Sequence, residues 1–291
     1  MSGLLLQTIV SGLTLGSIYA IVALGFVVIY QATRVLNFAH GEVLMLGAMI
    51  GLVLHTQVGF PYWPTFFVVL IAVALVGLLV ERTAYAPLAS SPLSTVIMAT
   101  AAVGQIIRSG VRIVQAEQLS FFPPMFSLEP IVIGPVVITR LNLGIAAIAV
   151  GLVAIFGLLF YATTLGTAMR GTSQNPTAAW LVGIDVHRIL SLIWALSAAL
   201  AAAAGLLIAP LVLVRPDMGV IAIKAFVGAV LGGFNSLPGA VVGSLLLGVI
   251  ENLVGVFLTN AFKDVVVFGI LIAVLLIRPS GVLGRPEARR V

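Results

Sequence analysis

Three ionisable side chains lie inside or next to apolar stretches of the sequence: Glu42, Lys224 and Glu251. A charge is costly at the centre of a bilayer, so such residues usually face a protein interior or a water-filled cavity. There they bind ions or polar solutes, or they lock helices together as buried ion pairs. For Lys224 and Glu251 the sequence leaves both interpretations open, because the two residues could pair with each other.

Asn37 and His40 precede Glu42 in the string Asn-Phe-Ala-His-Gly-Glu at the start of an apolar run. Residues two positions apart point to different sides of a helix, so we do not expect His40 and Glu42 to act as a catalytic pair. We expect Asn37 to be the N-cap of the helix that follows. Together with Lys224 and Glu251, these residues are candidates to line a path through a membrane.

Catalytic and metal-binding chemistry have little support in the residue types. The chain has no cysteine, which excludes disulfides, thiol catalysis and cysteine-based metal sites. Its three histidines are far apart, and no two have the spacing of metal ligands on one helix. No Gly-x-Ser-x-Gly or His-Glu-x-x-His motif occurs. We therefore expect a chain that is not an enzyme and holds no metal or cofactor of its own. The net charge of +5 does not suggest a nucleic-acid partner.

The composition is that of an integral membrane protein. Of 291 residues, 61% are hydrophobic and 8% are charged, whereas soluble domains have about 25% charged residues. Apolar runs of about 18 residues or more recur, each long enough to cross the hydrocarbon layer as a helix. The runs are longer than barrel strands and do not alternate, so the sequence predicts α-helices rather than a β-barrel.

We predict an all-α polytopic bundle of about eight or nine transmembrane helices, some short or broken, in one membrane domain over residues 1–291. Several candidate spans fall short of the ~20 residues that a crossing helix needs. The candidate spans are residues 4–30, 43–54, 62–80, 93–107, 141–163, 189–209, 220–231, 239–258 and 265–277.

Positive residues between the spans indicate the orientation of the chain. If nine spans cross, the side richer in Arg and Lys should be cytoplasmic. This predicts a periplasmic N-terminus and a cytoplasmic tail over residues 278–291. The richer set comprises Arg34, Arg82, Arg170, Arg188, Arg278, Arg285, Arg289 and Arg290, and the other comprises Arg108, Arg112, Arg140, Arg215 and Lys263.

The stretch 108–140 is the longest without a candidate span. It contains Pro123-Pro124, Pro130 and Gly134-Pro135 with Val and Ile between them. Proline at this density disfavours a helix. We therefore predict an extracytoplasmic loop over residues 108–140 that includes short extended pieces.

Residues 165–189 form a polar segment between apolar runs and are too polar to cross a bilayer. Asn175 followed by Pro176 is typical of a helix that begins there, with Asn as N-cap and Pro at the first helical position. Ala178 contributes to a small apolar face, and Gly183 ends the helix. A helix this short is unstable alone in water. It must rest on a partner or, alternatively, on the protein's own surface or lipid headgroups.

Glycines are concentrated at places where helices would approach closely or break. GxxxG pairs in apolar runs allow close helix packing. A second irregular string, residues 232–239, separates two spans as residues 37–42 do, and such interruptions are typical of transporters built from repeats. The glycines that we assign to packing or hinges are Gly12, Gly16, Gly232, Gly233, Gly239 and Gly243.

Three segments, residues 36–47, 170–184 and 224–243, together resemble one family. In this order they are similar to the branched-chain amino acid permeases of bacterial ABC importers, and the Asn-Phe-Ala-His-Gly-Glu string is specific to them. The resemblance implies an all-helical permease in the inner membrane that pairs with a second permease, expected to be a different subunit. It also implies two cytoplasmic ATPase subunits and a periplasmic substrate-binding protein as partners.

By the same resemblance, the polar segment 165–189 is the cytoplasmic coupling helix that sits in a groove of the ATPase. The chain contains no Gly-Lys dipeptide and therefore no phosphate-binding loop, so ATP is expected on the partner subunits. Gly171 stands where the family usually has Ala, which lowers the local helix propensity by up to about 1 kcal/mol. The coupling positions that the resemblance implies are Arg170, Asn175, Ala178, Gly183 and Ile184.

The sequence thus predicts the permease subunit of an ATP-driven importer for branched-chain or other small amino acids. The resemblance also allows urea, short amides or small aromatic acids as cargo. The main alternative is a self-sufficient secondary transporter or channel for a small polar solute, in which Glu42 and Glu251 would couple ions. Pairing with a second copy and pairing with a different permease both remain open.

Overall fold

The computed structural model describes residues 2–115, 120–134 and 136–284. Within these residues there are eleven α-helices and one two-stranded sheet. In chain order the elements are α1 (Ser2–Thr33), α2 (His40–Leu52), α3 (Tyr62–Val80), α4 (Leu93–Gln115), β1 (Pro130–Ile133), β2 (Val136–Thr139), α5 (Arg140–Ala162), α6 (Thr164–Gln174), α7 (Pro176–Leu181), α8 (Val186–Ile208), α9 (Val220–Gly232), α10 (Leu237–Phe257) and α11 (Phe262–Ile277).

The predicted all-α polytopic membrane protein is confirmed, and each of the nine predicted spans corresponds to a helix. Six helices in the described ranges are long and apolar enough to cross a membrane. A helix suits this role because it satisfies its backbone hydrogen bonds internally. Three spans are shorter: α2, which a π-helical turn over Val53–Gln57 extends, α9 and α11. The six long helices are Gly3–Thr33, Tyr62–Leu88, Leu93–Val114, Arg140–Ala162, Val186–Ile208 and Leu237–Phe257.

The chain forms two compact units. One contains the described parts of Met1–Val27, Pro124–Gly151 and Ile223–Val291, and the other contains Val28–Pro123 and Leu152–Ala222. Helices α1, α5 and α9 contribute residues to both units.

In the second unit, helices α2, α3 and α8 pack with their backbones close together. A Cβ added to Gly47 of α2 would lie 2.6 Å from Ala202 Cα of α8. A Cβ added to Gly77 of α3 would lie 2.7 Å from the carbonyl oxygen of Trp194, also on α8. Small residues allow this approach where no hydrophobic effect drives helices together.

In the first unit, the N-terminal half of α1 packs closely against α10. A Cβ added to Gly248 would lie 2.4 Å from Gly16 Cα, and one added to Gly12 would lie 2.7 Å from Val249 Cα. Gly12 and Gly16 are the first GxxxG pair of the sequence. The contact is between backbones, so side-chain rearrangement cannot relieve a larger residue there.

The non-helical part of the predicted 108–140 loop is shorter than expected. Helix α4 continues through Arg108 and ends at Gln115, because no proline interrupts the chain before Pro123. The expected extended pieces are the antiparallel strands β1 and β2, which pair Pro130 with Thr139 and turn at Gly134, where φ is +59°. Residues 116–119 and Pro135 lie outside the described residues, as do Arg285, Arg289 and Arg290 of the predicted tail.

Candidate functional site

The polar segment contains two short helices, α6 and α7, rather than the single helix predicted from Asn175. The hydroxyl of Thr163 caps α6 by accepting a hydrogen bond from the amide of Gly166 at 3.0 Å. The Asn175 side chain caps α7 by accepting from the amide of Ala178 at 3.1 Å. The predicted N-cap is therefore confirmed. Pro176 occupies the first turn, where an amide N–H would have no acceptor within the helix, so the N–H that proline lacks is not missed.

The residues after α7 turn the chain back toward the membrane span α8. Gly183 has a φ of +85°, a left-handed conformation that favours glycine. The Asp185 side chain then accepts a hydrogen bond from the amide of Arg188 at 3.1 Å and caps α8. Gly183 and Ile184 thus belong to the turn that joins α7 to α8.

Arg170, an implied coupling residue, contacts its own chain. Its guanidinium donates to the carbonyl oxygen of Phe160 and, at 3.2 Å, to the hydroxyl of Thr167. The same group lies 5.7 Å from the ring centroids of Phe160 and Tyr161, a geometry that favours cation–π attraction. Arg170 therefore fastens α6 to the end of α5. Ile184 lies beside Gly171, whose added Cβ would be 3.8 Å from Ile184 Cδ1.

The most exposed apolar side chains of this segment are ones that the resemblance did not single out. Trp180, Leu181 and Val182 at the end of α7 are 69%, 74% and 76% exposed, whereas Ala179 is buried. Three consecutive large apolar residues in a polar segment were the signal that could have identified them. An exposed apolar patch outside a membrane span is a candidate interaction surface.

Of the path candidates in the second unit, Asn37 and His40 shape the start of α2. The prediction that Asn37 is the N-cap of α2 is wrong, because α2 begins at His40 and Ala39 occupies the cap position. The Asn37 side chain instead accepts from the Ala39 amide at 3.0 Å and closes the preceding turn. His40 is buried, with Nδ1 3.4 Å from the hydroxyl of Ser197.

Glu42 forms an ion pair with Arg108, which the sequence placed in a loop. Arg108 instead reaches from α4 to the buried Glu42 carboxylate on α2. Two glycines make room for the carboxylate: a Cβ on Gly219 would lie 2.7 Å from Glu42 Oε1, and one on Gly104 would lie 3.3 Å from Glu42 Cγ. Glu42 Oε2 and Arg108 Nε are buried and have no hydrogen-bond partner among the described residues. The pair therefore retains hydrogen-bonding capacity that the fold leaves unused.

In the first unit, Lys224 and Glu251 pair with each other. Lys224 Nζ lies 2.7 Å from Glu251 Oε1 and 2.8 Å from Asp264 Oδ1. The buried hydroxyl of Tyr19 donates to Glu251 Oε2 at 2.8 Å. The network joins α1, α9, α10 and α11 and leads from an exposed carboxylate, Asp264, to a buried tyrosine.

The irregular string 232–239 also lies in the first unit, between α9 and α10. Gly233 has a φ of +116°, and a Cβ added to Gly232 would lie 1.8 Å from the carbonyl oxygen of Gly239. One added to Gly243 would lie 2.3 Å from the carbonyl oxygen of Gly228. The hydroxyl of Ser236 caps α10 by accepting from the Gly239 amide at 3.1 Å.

Sequence reasoning did not identify Glu81, a buried carboxylate at the end of α3. The hydroxyl of Ser191 on α8 donates to Glu81 Oε2 at 2.8 Å. Glu81 is next to Arg82 at the end of an apolar run, where charged residues at the membrane edge are common. Nothing in the sequence therefore indicated that its side chain is buried.

Comparison with known proteins relates nearly the whole chain to one group. The family described as branched-chain amino acid transport system / permease component matches residues 8–275. The chain is 35% identical to the high-affinity branched-chain amino acid transport system permease protein BraD of Pseudomonas aeruginosa, over 98% of each chain. It is 32% identical to the corresponding protein LivH of Escherichia coli K12, over 98% of this chain and 97% of the relative.

A solved structure, PsaBC from Streptococcus pneumoniae in complex with Fab, has a similar fold. The TM-score is 0.52 at 13% sequence identity, with 93% of this chain and 91% of the other covered. At this identity the similarity concerns the fold alone.

Proposed function

Because the chain belongs to the branched-chain amino acid transport system permease family, we propose that it is the membrane-spanning permease subunit of an ATP-driven importer. Its cargo is a branched-chain amino acid or another small amino acid. The observation that carries the proposal is the similarity over 98% of the chain to a high-affinity branched-chain amino acid permease. The chain itself catalyses no reaction in this proposal.

The proposed transporter contains four further components. A second permease subunit completes the membrane part, two cytoplasmic ATPase subunits supply the energy, and a periplasmic binding protein delivers cargo. The chain has no phosphate-binding loop, which supports ATP hydrolysis on separate subunits. The excess of Arg on the predicted inner loops supports a periplasmic N-terminus and a cytoplasmic C-terminal tail.

The polar segment supports the coupling role. Helices α6 and α7 are each capped by a side chain, which stabilises the first turn of each helix. Trp180, Leu181 and Val182 then extend from the end of α7 as an apolar patch that a groove of an ATPase could enclose. In this proposal the patch, here called the coupling patch, contacts the ATPase. The positions of α6 and α7 are held by Arg170, Asn175, Gly183 and Ile184.

Transport by the assembled complex tests the proposal. The chain should be purified from native membrane with its bound subunits, reconstituted in liposomes and assayed for leucine uptake. We expect uptake that needs both ATP and the binding protein. Uptake by the lone chain, without ATP, would support the secondary transporter or channel instead.

A substitution pair tests the coupling patch. Trp180→Ser should reduce ATP-driven uptake and weaken retention of the ATPase subunits, because a central aromatic anchor often contributes about 2 kcal/mol or more to an interface. Val132→Ser is the matched control, since Val132 on β1 is 67% exposed but lies outside the polar segment. Equal effects of the two substitutions would remove the patch from the coupling role.

Arg170→Glu tests whether coupling depends on the attachment of α6 to α5. It removes the hydrogen bonds to Phe160 and Thr167 that hold α6 on α5. Uptake should fall while membrane insertion is retained. Normal uptake in this variant would show that coupling does not depend on Arg170.

A further inference from the structure

Helix α4 differs from the other exposed membrane helices in the face that it presents. Polar and small residues recur along it at intervals of seven and four positions, the spacing of one helical face. All of them are exposed. These residues, here called the α4 polar face, are Ser94, Ala101, Gln105 and Ser109, and the exposed Met98 lies between the first two.

Helix α5 provides the comparison. The rest of this chain covers α4 and α5 to a similar, small extent, but α5 is the more apolar of the two helices. Where α4 exposes Gln105 and Ser109, α5 exposes Val150, Ile155 and Leu158. Helix α4 also exposes Ile106, Ile113 and Val114. Ile106 lies about 100° around the helix from Gln105, and Ile113 and Val114 lie beyond Ser109 in the last turn. The exposed surface of α4 is therefore apolar in one part and polar in another.

Lipid suits the exposed face of α5 but not the α4 polar face. Hydrocarbon cannot hydrogen-bond the amide of Gln105, which lies near the middle of α4. The opposite side of the same helix, which includes Gly104 and Val111, is buried. The polar side is therefore the one directed away from this chain's own core.

A second observation lies at the edge of this face. Arg108, adjacent to Ser109, is 28% exposed along its side chain while it holds the buried Glu42. Arg108 Nε and Glu42 Oε2 have no hydrogen-bond partner in the described part of the chain. A zwitterion has a carboxylate that a guanidinium attracts and an ammonium group that a carboxylate attracts.

We infer that the α4 polar face lines the water-filled path along which a zwitterionic amino acid crosses the membrane, with Arg108 at its edge. The inference rests on the proposed function, because it names the part of the chain that the cargo passes. Hydroxyl and amide groups replace part of the cargo's hydration as it moves. Weak, repeated contacts of this kind let a solute both enter and leave.

Single cysteines test the inference cleanly, because the chain has none of its own. The variants are Ala101→Cys, Gln105→Cys and Ser109→Cys, and the matched controls on α5 are Val150→Cys and Ile155→Cys. Each is assembled with its partner subunits in membrane vesicles and treated with a charged, membrane-impermeant methanethiosulfonate. Modification of this chain is read by mass.

The cysteine thiolate attacks the reagent, which forms a mixed disulfide and releases methanesulfinate, and the thiolate itself forms in water and not in lipid. We expect the three α4 cysteines to react at least about tenfold faster than the two α5 cysteines. An excess of leucine should slow the reaction at Gln105→Cys. Modification should also block uptake in the α4 variants and leave it unchanged in the α5 variants.

Two results would overturn the inference. In one, the α4 cysteines are as unreactive as those on α5 although ATP-driven uptake is normal, which would place the face in lipid. In the other, they resist the reagent but form disulfides with cysteines in the second permease, which would make the face a dry subunit interface. Failure of the proposed function would be recognised by a different result. In that case the transporter without any cysteine substitution would show no ATP-driven uptake, whatever the labelling pattern.

Discussion

Lys224 Nζ lies 2.7 Å from Glu251 Oε1, and this ion pair connects helices α9 and α10. Asp264 and Tyr19 hydrogen-bond to the same pair from α11 and α1. Both charges of the pair are largely shielded from solvent. A buried pair with additional hydrogen bonds holds its helices in one arrangement, whatever its net energy.

The pair predicts a strong asymmetry between single and double substitutions. Glu251→Leu alone leaves the Lys224 ammonium buried without its main partner and should destabilise the first unit by about 3–5 kcal/mol. Lys224→Met combined with Glu251→Leu should recover most of that loss. Thermal unfolding of the purified protein in detergent measures the difference.

The exposed pair of Arg188 and Asp185 is the control, because exposed ion pairs contribute about 0–1 kcal/mol. Arg188→Ala should shift the unfolding temperature little. If the double variant is no more stable than Glu251→Leu, the prediction is wrong, and the loss of stability does not come from leaving the Lys224 charge unpaired.

The backbone contact between α1 and α10 gives a second prediction. Gly248→Ala should destabilise the protein by about 1–3 kcal/mol, since the new Cβ would meet Gly16 Cα at 2.4 Å. Gly157→Ala in α5 has open space around the new Cβ and should be neutral or stabilising by up to about 1 kcal/mol. Unfolding temperatures check both. Equal shifts would mean that the two helices separate easily.

The ion pair between Glu42 and Arg108 gives a third prediction. Glu42→Gln keeps the shape of the side chain but leaves the part-buried Arg108 without a counter-charge, so the protein should lose stability and uptake. The matched control is Glu129→Gln, whose ion pair with Arg140 is exposed and should contribute little. Unfolding temperature and leucine uptake should be measured together. A variant with normal values of both would remove this pair from any structural or transport role.

The cap of α7 gives a fourth prediction. Asn175→Ala removes the acceptor for the Ala178 amide and should destabilise α7 by about 0.5–2 kcal/mol. ATP-driven uptake should fall, because the proposed coupling patch, residues 180–182, includes the last residues of this helix. Asn175→Asp retains an acceptor and should preserve uptake. Uptake in liposomes with the complete transporter distinguishes the two, and equal activity of both variants would contradict the role of the cap.

Local patterns predicted the elements well. A helix lies at each of the nine hydrophobic runs, and the Asn-Pro dipeptide at residues 175–176 located the start of α7. Boundaries were less accurate. Helix α4 continues past its predicted end at Ile107 to Gln115, because no proline interrupts the chain there. Within this extension Arg108 pairs with the buried Glu42. Asn37 resembled an N-cap, but its side chain closes a turn and the helix starts at His40.

By itself, the sequence determined that this is a polytopic helical membrane protein of the branched-chain amino acid permease family, because composition, span length and motif order are properties of the chain alone. Only the tertiary structure decided which charges meet. Arg108 pairs with Glu42 from a helix that is 66 residues away in sequence, and Lys224 pairs with Glu251 on the next helix. It also decided that α4 turns a polar face outward, because exposure depends on which side of a helix its neighbours cover.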